Sequence, residues 1–205
     1  MKIERMPVGA IQTNCYILVN EENSEAVVVD PGNCADSIVR RLEELQVSCS
    51  VILLTHGHFD HILAVLEVSE ATGARIWAGA DEAALLADPE MNVSMRIHRP
   101  VEVHPDRLLR DGERISPAGI GMKVIFTPGH THGSVCYYIE NESVLLSGDT
   151  LFESSVGRTD LPTGNETELY MSITGKLFSL PGNTRVLPGH GEATAIERES
   201  KFFGN

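Results

Sequence analysis

Positive charge is what this chain most lacks: 16 Lys and Arg stand against 29 Asp and Glu, leaving a formal net charge of −13 and a sequence pI near 5.0. An acidic field of that size repels a phosphate backbone unless a basic patch overrides it, and no run of Lys or Arg occurs, which argues against nucleic acid as a partner. Cysteine is sparse as well. Cys15, Cys34, Cys49 and Cys136 have neither CxxC spacing nor the density of a disulfide scaffold, so reduced thiols packed in a core are expected rather than bridges or a zinc ribbon. No apolar stretch approaches the roughly 20 residues that cross a bilayer. The amino-terminal MKIERMPVGAIQTNCYILV carries Glu4 and Arg5 where a secretory leader would run continuously apolar. The expectation is a cytoplasmic protein with no membrane partner.

What is present is an ordinary globular composition, 42% hydrophobic and 22% charged over 205 residues, enough to bury one substantial core and cramped for two; a single domain over 1–205 is expected. Val- and Ile-rich runs predict strands over 15–19, 26–30, 51–54, 75–78, 122–126, 135–139, 143–147 and 184–187. Between them, DSIVRRLEELQ predicts a helix with Ile38, Leu42 and Leu45 on one stripe and Asp36 or Ser37 as its cap. A second helix is predicted over 62–72, stopped by Gly73, and a third over 80–87, ahead of Asp88-Pro89. Asn165 with Glu168 has capping-box spacing and opens a fourth helix that buries Tyr170, Ile173 and Leu177 and closes at Pro181-Gly182. Such alternation is the mark of a layered α/β architecture. Segment 94–106 has no clear period and reads either as a lid or as a surface loop.

The polar chemistry sits where these strands end. VILLT runs into HGHFDH, MKVIFTP into GHTHGS, SVLLSG into Asp149, and TRVLP into GHG. Each time a His or Asp follows an apolar strand within a few residues, often beside a Gly or Pro that allows a sharp exit from the sheet. Ligand sites on open α/β sheets gather at strand ends because rigid strands fix where loops begin. Four such ends aimed at one spot would gather His56, His58, Asp60, His61, His130, Asp149 and His190, five imidazoles and two carboxylates. These are the usual ligands of Zn2+, Fe or Mn, too many for one first-row ion and suited to two that share a carboxylate. In an extended turn residues i and i+2 project to one side, so His56 and His58 reach one ion while Asp60 and His61, past the bend, reach the other. Chance assembly of HxHxDH in a chain of this length is on the order of one in ten thousand. A lone His carries no such weight: His98, His104 and His132 read as ordinary residues, although GHTHGS offers two imidazoles where one is needed. Asp149 and His190, taken singly, would be a strand-end Asp and a turn residue; their assignment leans on the cluster and on order along the chain.

HGHFDH followed by TPGHTHGS, LLSGDTLF and VLPGHG, in that order and over nearly the whole chain, resembles the metallo-β-lactamase superfamily. Within it the chain is most similar to the glyoxalase II branch, the hydroxyacylglutathione hydrolases, in a short form without the C-terminal helical extension that supplies part of the glutathione site. The resemblance implies an αβ/βα sandwich of two mixed β-sheets flanked by helices. It implies that His56, His58 and His130 bind a first metal, that Asp60, His61 and His190 bind a second, and that Asp149 bridges, with a water or hydroxide between the ions. Zn2+ is the expected metal, with Fe or Mn as alternatives. Asp149 stands where the best-known zinc β-lactamases place a cysteine, which counts against antibiotic hydrolysis, and flavodiiron proteins of this fold put Glu at the position of His58, which counts against oxygen reduction.

The expected reaction is hydrolysis of a thioester such as an S-2-hydroxyacylglutathione, by attack of a hydroxide whose parent water two cations have acidified. Asp149 as shared ligand and Asp60 as ligand and orienter of the nucleophile are the candidate catalytic residues. In SSVGRTDLPTG, the loop after Asp149, Arg158 has two readings: a bidentate grip on an anionic substrate tail, or an ion pair with Asp160 that braces the loop. Asp30, in VVDPG, is either an orienting partner of a metal-bound imidazole or a strand-end turn residue. Rival functions are an iron-dependent persulfide dioxygenase, a lactone or ester hydrolase of the same fold, and a non-enzymatic metal-binding module.

Overall fold

The Val, Ile and Leu runs lack the polar alternation of a half-wet sheet because both faces of most strands are covered. In this computed structural model, which describes residues 1–204, two six-stranded mixed sheets pack face to face with helices outside each. The first sheet contains β1 (Lys2–Val8), β2 (Thr13–Asn20), β3 (Glu25–Val29), β4 (Ser48–Leu53), β5 (Arg75–Gly79) and β6 (Arg107–Leu109), in that spatial order. β1 to β3 form an antiparallel meander and β3 to β6 run parallel. The crossovers between parallel strands carry α1 (Ala35–Leu45), α2 (Phe59–Ile62), α3 (Val65–Thr72) and α4 (Ala83–Leu86). The chain continues through β7 (Arg114–Ile115), β8 (Met122–Phe126), β9 (Val135–Ile139), β10 (Val144–Gly148), a hairpin of β11 (Leu151–Phe152) and β12 (Ser155–Val156), α5 (Glu166–Gly175), β13 (Arg185–Pro188), β14 (Thr194–Ala195) and α6 (Ile196–Phe202). The second sheet is ordered β14-β13-β10-β9-β8-β7, antiparallel except for the β10–β13 pair.

The strand period of two sorts side chains into three cores. In β9, Val135, Tyr137 and Ile139 enter the layer between the sheets, whereas Cys136 and Tyr138 turn outward against Leu169, Ile173 and Ile196. In β4, Val51 and Leu53 point between the sheets, and Ile52 faces Ile38 and Leu42 of α1 and Val65 and Val68 of α3. Two buried tyrosines tie the sheets together with hydrogen bonds: Tyr137 Oη donates to the Leu54 carbonyl and Tyr16 Oη to the Pro188 carbonyl, each at 2.7 Å.

The αβ/βα sandwich expected from the sequence is the observed fold, and each expected strand overlaps an observed one with its ends displaced by no more than three residues. Other expectations need correction. α1 is preceded not by Asp36 or Ser37 but by Cys34, which adopts a left-handed conformation (φ 59°) and makes no side-chain cap. Cys34 is also exposed, whereas Cys15, Cys49 and Cys136 are buried free thiols. The helix expected over 62–72 is interrupted at its start: α2 ends at Ile62, Ala64 departs from helical geometry (φ −106°), and α3 begins at Val65. In α5, Asn165 caps as expected, its side chain accepting the Glu168 N–H at 3.1 Å, but Tyr170 is 63% exposed and Leu169 takes the buried position. Segment 94–106 opens with a 3-10 turn, Ser94–Ile97, and is pinned by Asn92, whose amide donates to the Val101 carbonyl at 2.8 Å, and by the Val103 N–H bond to Leu86 O at 2.9 Å. Among the described residues no helix is long and apolar enough to cross a membrane.

Replacing Tyr137 by Phe keeps the ring in its slot and removes only the intersheet hydroxyl, so stability should fall by roughly 0.5–1.5 kcal/mol. A urea midpoint equal to that of the unchanged protein would mean that the bond contributes nothing to sheet docking.

Candidate metal centre

β4, β8, β10 and β13 end at the same rim of the sandwich, and each releases a loop there. After Leu53 the chain leaves the sheet extended through His56 and His58, then enters the single turn of α2, which carries Asp60 and His61. His130 follows β8, Asp149 is the residue after β10, and His190 follows β13. The structure brings all seven together. His58 Nδ1 lies 2.8 Å from His130 Nε2, which lies 3.2 Å from His56 Nε2. Beside this group, Asp60 Oδ2 is 3.1 Å from His190 Nε2 and 3.4 Å from His61 Nε2. Asp149 stands between the two: Oδ1 is 3.4 Å from His61 Nε2, and Oδ2 is 3.6 Å from both His130 Nε2 and His190 Nε2. Each of the triads His56–His58–His130, His56–His61–Asp149 and Asp60–His61–His190 has its ligand atoms within 4.8 Å of one another. His98, His104 and His132 are exposed and belong to none of them.

The donor set fits metal ions on grounds internal to the structure. His61 Nε2 and Asp149 Oδ1 are buried without a hydrogen-bond partner, and an unmet buried polar atom costs about 1–3 kcal/mol. These two atoms face each other across the centre at 3.4 Å, and the three imidazole nitrogens of the first group crowd one another, with the lone pairs of His56 Nε2 and His130 Nε2 pointing inward. A cation coordinated by those lone pairs removes the conflict, and an all-nitrogen and carboxylate-oxygen set suits Zn2+, Fe or Mn.

Surrounding groups fix which nitrogen faces inward. Thr55 Oγ1 donates to Asp30 Oδ2 at 2.6 Å, so its contact of 3.2 Å with His56 Nδ1 has the imidazole as donor, which leaves His56 Nε2 with a free lone pair. His61 Nδ1 lies 3.0 Å from the same Asp30 oxygen, and His130 Nδ1 donates to the Arg158 carbonyl at 2.7 Å. Asp30 therefore orients two imidazoles of the cluster; it is buried, and its φ of 50° turns the chain sharply out of β3 beneath them. A further support was not read from the sequence. Asn14 holds the PGHG turn through its N–H to Gly189 O (2.7 Å) and its side-chain amide to Pro188 O and Gly191 O (both 3.0 Å), while Thr13 Oγ1 donates to Asp60 Oδ2 at 2.9 Å. The available signal was two polar residues, Thr13 and Asn14, opening the apolar run CYILV.

The electrostatics divide the centre. Burial, with the neighbouring imidazoles, pushes His56 well below the ordinary imidazole value and His58 to about 3, and burial lowers His130 in spite of Asp149. These three stay neutral, the form that coordinates metal. Burial alone would raise Asp60 and Asp149, yet His61 and the other imidazoles around them hold both below the ordinary carboxylate range. Burial opposes the charged forms of His61 and His190, and the carboxylates beside them outweigh it and raise both. A cavity of about 480 Å³ opens over the centre, floored by His58, Asp60, His130, Asp149 and His190 and walled by Ile11, Phe59, Phe152, Val156, Leu161 and Arg158. At its edge the Arg158 guanidinium is engaged by Asp160 through two bonds of 2.6 and 2.7 Å, both side chains being exposed.

Residues 8–190 match the family described as the metallo-beta-lactamase superfamily. Hydroxyacylglutathione hydrolase GloC of Haemophilus influenzae is 34% identical over 204 residues, covering 98% of this chain and 96% of that protein. The crystal structure of BLEG-1 B3 metallo-beta-lactamase aligns with a TM-score of 0.93 at 41% identity, over 98% of this chain and 97% of that one. The crystal structure of TTHA1623 in a di-iron-bound form aligns with a TM-score of 0.87 at 32% identity, over 97% and 98%.

Zn2+ added to chelator-treated protein should raise the thermal midpoint, by a free energy of about 2.7 kcal/mol when free metal is about 100 times Kd, and His130→Ala should abolish most of the rise. Asp30→Asn should weaken binding about 10–100-fold in chelator competition by freeing the His61 ring. A midpoint indifferent to Zn2+, Fe2+ and Mn2+ would rule out a metal centre here.

Proposed function

Because the chain belongs to the metallo-beta-lactamase superfamily, we propose that it is a metal-dependent hydrolase that cleaves a thioester of the S-2-hydroxyacylglutathione kind. The observation that carries the proposal is the pair of ligand groups with Asp149 reaching both, its Oδ2 at 3.6 Å from His130 and from His190. In this reading His56, His58 and His130 hold one divalent ion, Asp60, His61 and His190 hold a second, and Asp149 serves both; Zn2+ is the ion assigned. When bound, such a pair supplies Lewis acidity, acidifying water toward neutral pH and polarising a carbonyl.

The chain's own residues set the rest. Asp60, ionised and steadied by Thr13, accepts a hydrogen bond from water at the cavity floor and orients it toward the substrate. Ile11, Phe59, Phe152, Val156 and Leu161 keep bulk water away, so the charges beneath act at lower dielectric than in solution. The Nδ1 atoms of His56, His61 and His130 are committed to Thr55, Asp30 and Arg158, so these rings have no ready proton for a departing group. A thiol, with a pKa of about 8.5, leaves as thiolate without one; an amine does not. That asymmetry favours thioesters over amides and β-lactams. GloC, a hydroxyacylglutathione hydrolase, is consistent with it.

A second reading, an iron-dependent persulfide dioxygenase, draws on the iron held by TTHA1623. Elemental analysis together with a panel of S-lactoylglutathione, simple esters, a lactone, a β-lactam and glutathione persulfide separates the readings. Two ions per chain and preferential thioester cleavage are expected. One iron per chain with oxygen consumed on persulfide would replace the first reading with the second, and preferential β-lactam opening would replace it with the activity that BLEG-1 is named for.

Arg158 is proposed to hold the anionic tail of the substrate by exchanging its Asp160 partner for it. An exposed ion pair contributes little to stability, so the exchange is inexpensive. Arg158→Ala should raise KM for anionic thioesters with kcat little changed, and Asp160→Ala should lower it by freeing the guanidinium. If both variants raise KM alike, the pair braces the loop and does not bind substrate.

A further inference from the structure

Glu82 lies outside the metal centre and is one of the few charged side chains buried in this fold, 1% exposed. It ends a 3-10 turn, Ala80–Glu82, that runs directly into α4, on the same buried face as Leu85 and Leu86 three and four residues on. Among the described residues no basic side chain pairs with it. Three donors from two different loops meet the carboxylate instead: the Gly57 N–H at 2.7 Å on Oε1, and on Oε2 the Gly133 N–H and the Thr131 hydroxyl, both at 3.0 Å. Gly57 is the residue between His56 and His58, and Thr131 follows His130. One buried side chain thus spans the two segments that deliver all three nitrogens of the first ligand group.

The packing gives the same result independently. A Cβ on Gly133 would lie 2.2–2.5 Å from backbone atoms of Asp81 and Glu82, and one on Gly57 would lie 2.6 and 2.9 Å from the side chains of Leu85 and Leu86. Both loops rest on this turn with no room for a methyl group, so the turn works as a template and the carboxylate as its clasp. Thr131 Oγ1 is in addition 2.6 Å from Ser134 Oγ, which stiffens the second loop against the clasp.

We propose that Glu82 is a positioning residue for the first ligand group, setting the separation of the HGH and GHT segments so that His56 Nε2, His58 Nδ1 and His130 Nε2 converge. The inference rests on the reading of that group as a metal site. A carboxylate is required because both of its oxygens accept. A glutamine would turn an NH2 toward either the Gly57 N–H or the Gly133 N–H, donor against donor, and an aspartate is one methylene too short to reach both loops. Burial pushes the carboxyl up to about 7, and the three donors work against that shift.

The test is chelator competition with Zn2+ and the visible absorption spectrum of the Co2+-loaded protein, on Glu82→Gln beside the unchanged chain. Zn2+ affinity should drop about 10–100-fold, as for loss of other groups that orient ligands, and the Co2+ bands should shift because the imidazoles no longer meet at one point. Leu177→Ala, in the outer core and making no hydrogen bond to Glu82 or to Thr131, serves as the control. It should lower the thermal midpoint and leave Zn2+ affinity and Co2+ bands unchanged. Thr131→Val, which deletes one donor to the clasp, should show a smaller loss in the same direction, and Thr131→Ser should restore it; this pair decides the matter if Glu82→Gln does not fold. Affinity and spectrum unchanged in Glu82→Gln, or in Thr131→Val where only that variant folds, would overturn the clasp. An equal loss of affinity in Leu177→Ala would also overturn it, by reducing the effect to general destabilisation. An unchanged chain that binds no metal would instead overturn the metal reading itself, and the clasp with it.

Discussion

The arrangement of this rim depends on one buried carboxylate. Asp30 directly follows β3, next to the end of β4, and its two oxygens accept the Thr55 N–H at 2.8 Å, the Thr55 hydroxyl at 2.6 Å and His61 Nδ1 at 3.0 Å. The parallel pairing of β3 with β4 makes this possible, because it places two strand ends side by side at the same rim. Through Thr55 the constraint extends to His56, so a single group at the end of one strand sets the tautomer and ring angle of two imidazoles carried by the segment that follows the next. Without it either ring would be free to turn its protonated nitrogen toward the centre, where a hydrogen would oppose a cation. The rigid sandwich supplies position; Asp30 supplies orientation, and coordination requires both.

How far the site could be read from the sequence follows from where each residue's partners lie. HGHFDH was legible because four ligand-type residues fall within six positions. Asp149 and His190 were legible only through the repeated strand-then-turn pattern, which tertiary structure converts into a shared rim. Asn14 was not, since its partners are carbonyls of Pro188 and Gly191, some 175 residues away, and backbone acceptors leave no mark on a sequence. Glu82 escaped for a similar reason: two of its three donors are glycine amides. It was still visible as an acid on the apolar stripe it shares with Leu85 and Leu86, a local inconsistency that a helical-period reading passes over.

The secondary structure was legible where burial is two-sided and less so elsewhere. β8 and β9 were placed to the residue because hydrophobic runs bounded by turn residues leave little freedom. β1 was missed because KIERMPV is an edge strand whose side chains alternate with charge and include Pro7, features that suit an edge and disguise a strand. The four expected helices erred in phase and bounds, and α6 (Ile196–Phe202) was not expected at all. In α5 the choice between Leu169 and Tyr170 depends on a rotation of one residue, and the outer core of Cys136, Tyr138 and Leu145 selects the aliphatic side chain. α1 shows a different limit: its entry is set by the left-handed turn at Cys34, which no capping rule based on side-chain oxygens anticipates.

Buried side-chain atoms without a partner are concentrated rather than scattered, and that bears on function. Of the four buried side-chain atoms without a partner among the described residues, three belong to His58, His61 and Asp149. The ring centroids of His56 and His61 approach to 4.1 Å, and those of His56 and His130 to 4.7 Å. Folding alone gains nothing from this combination; filling the rim with Leu or Val would satisfy the same strands at lower cost. The three hydrophobic layers have to carry the deficit, which they do with fully buried side chains on both faces of the central strands. A fold that tolerates so many unmet and crowded polar groups at one place, and almost none elsewhere, is organised around something that satisfies them from outside the chain. For inward-facing imidazole lone pairs and ionised carboxylates, that partner is a cation.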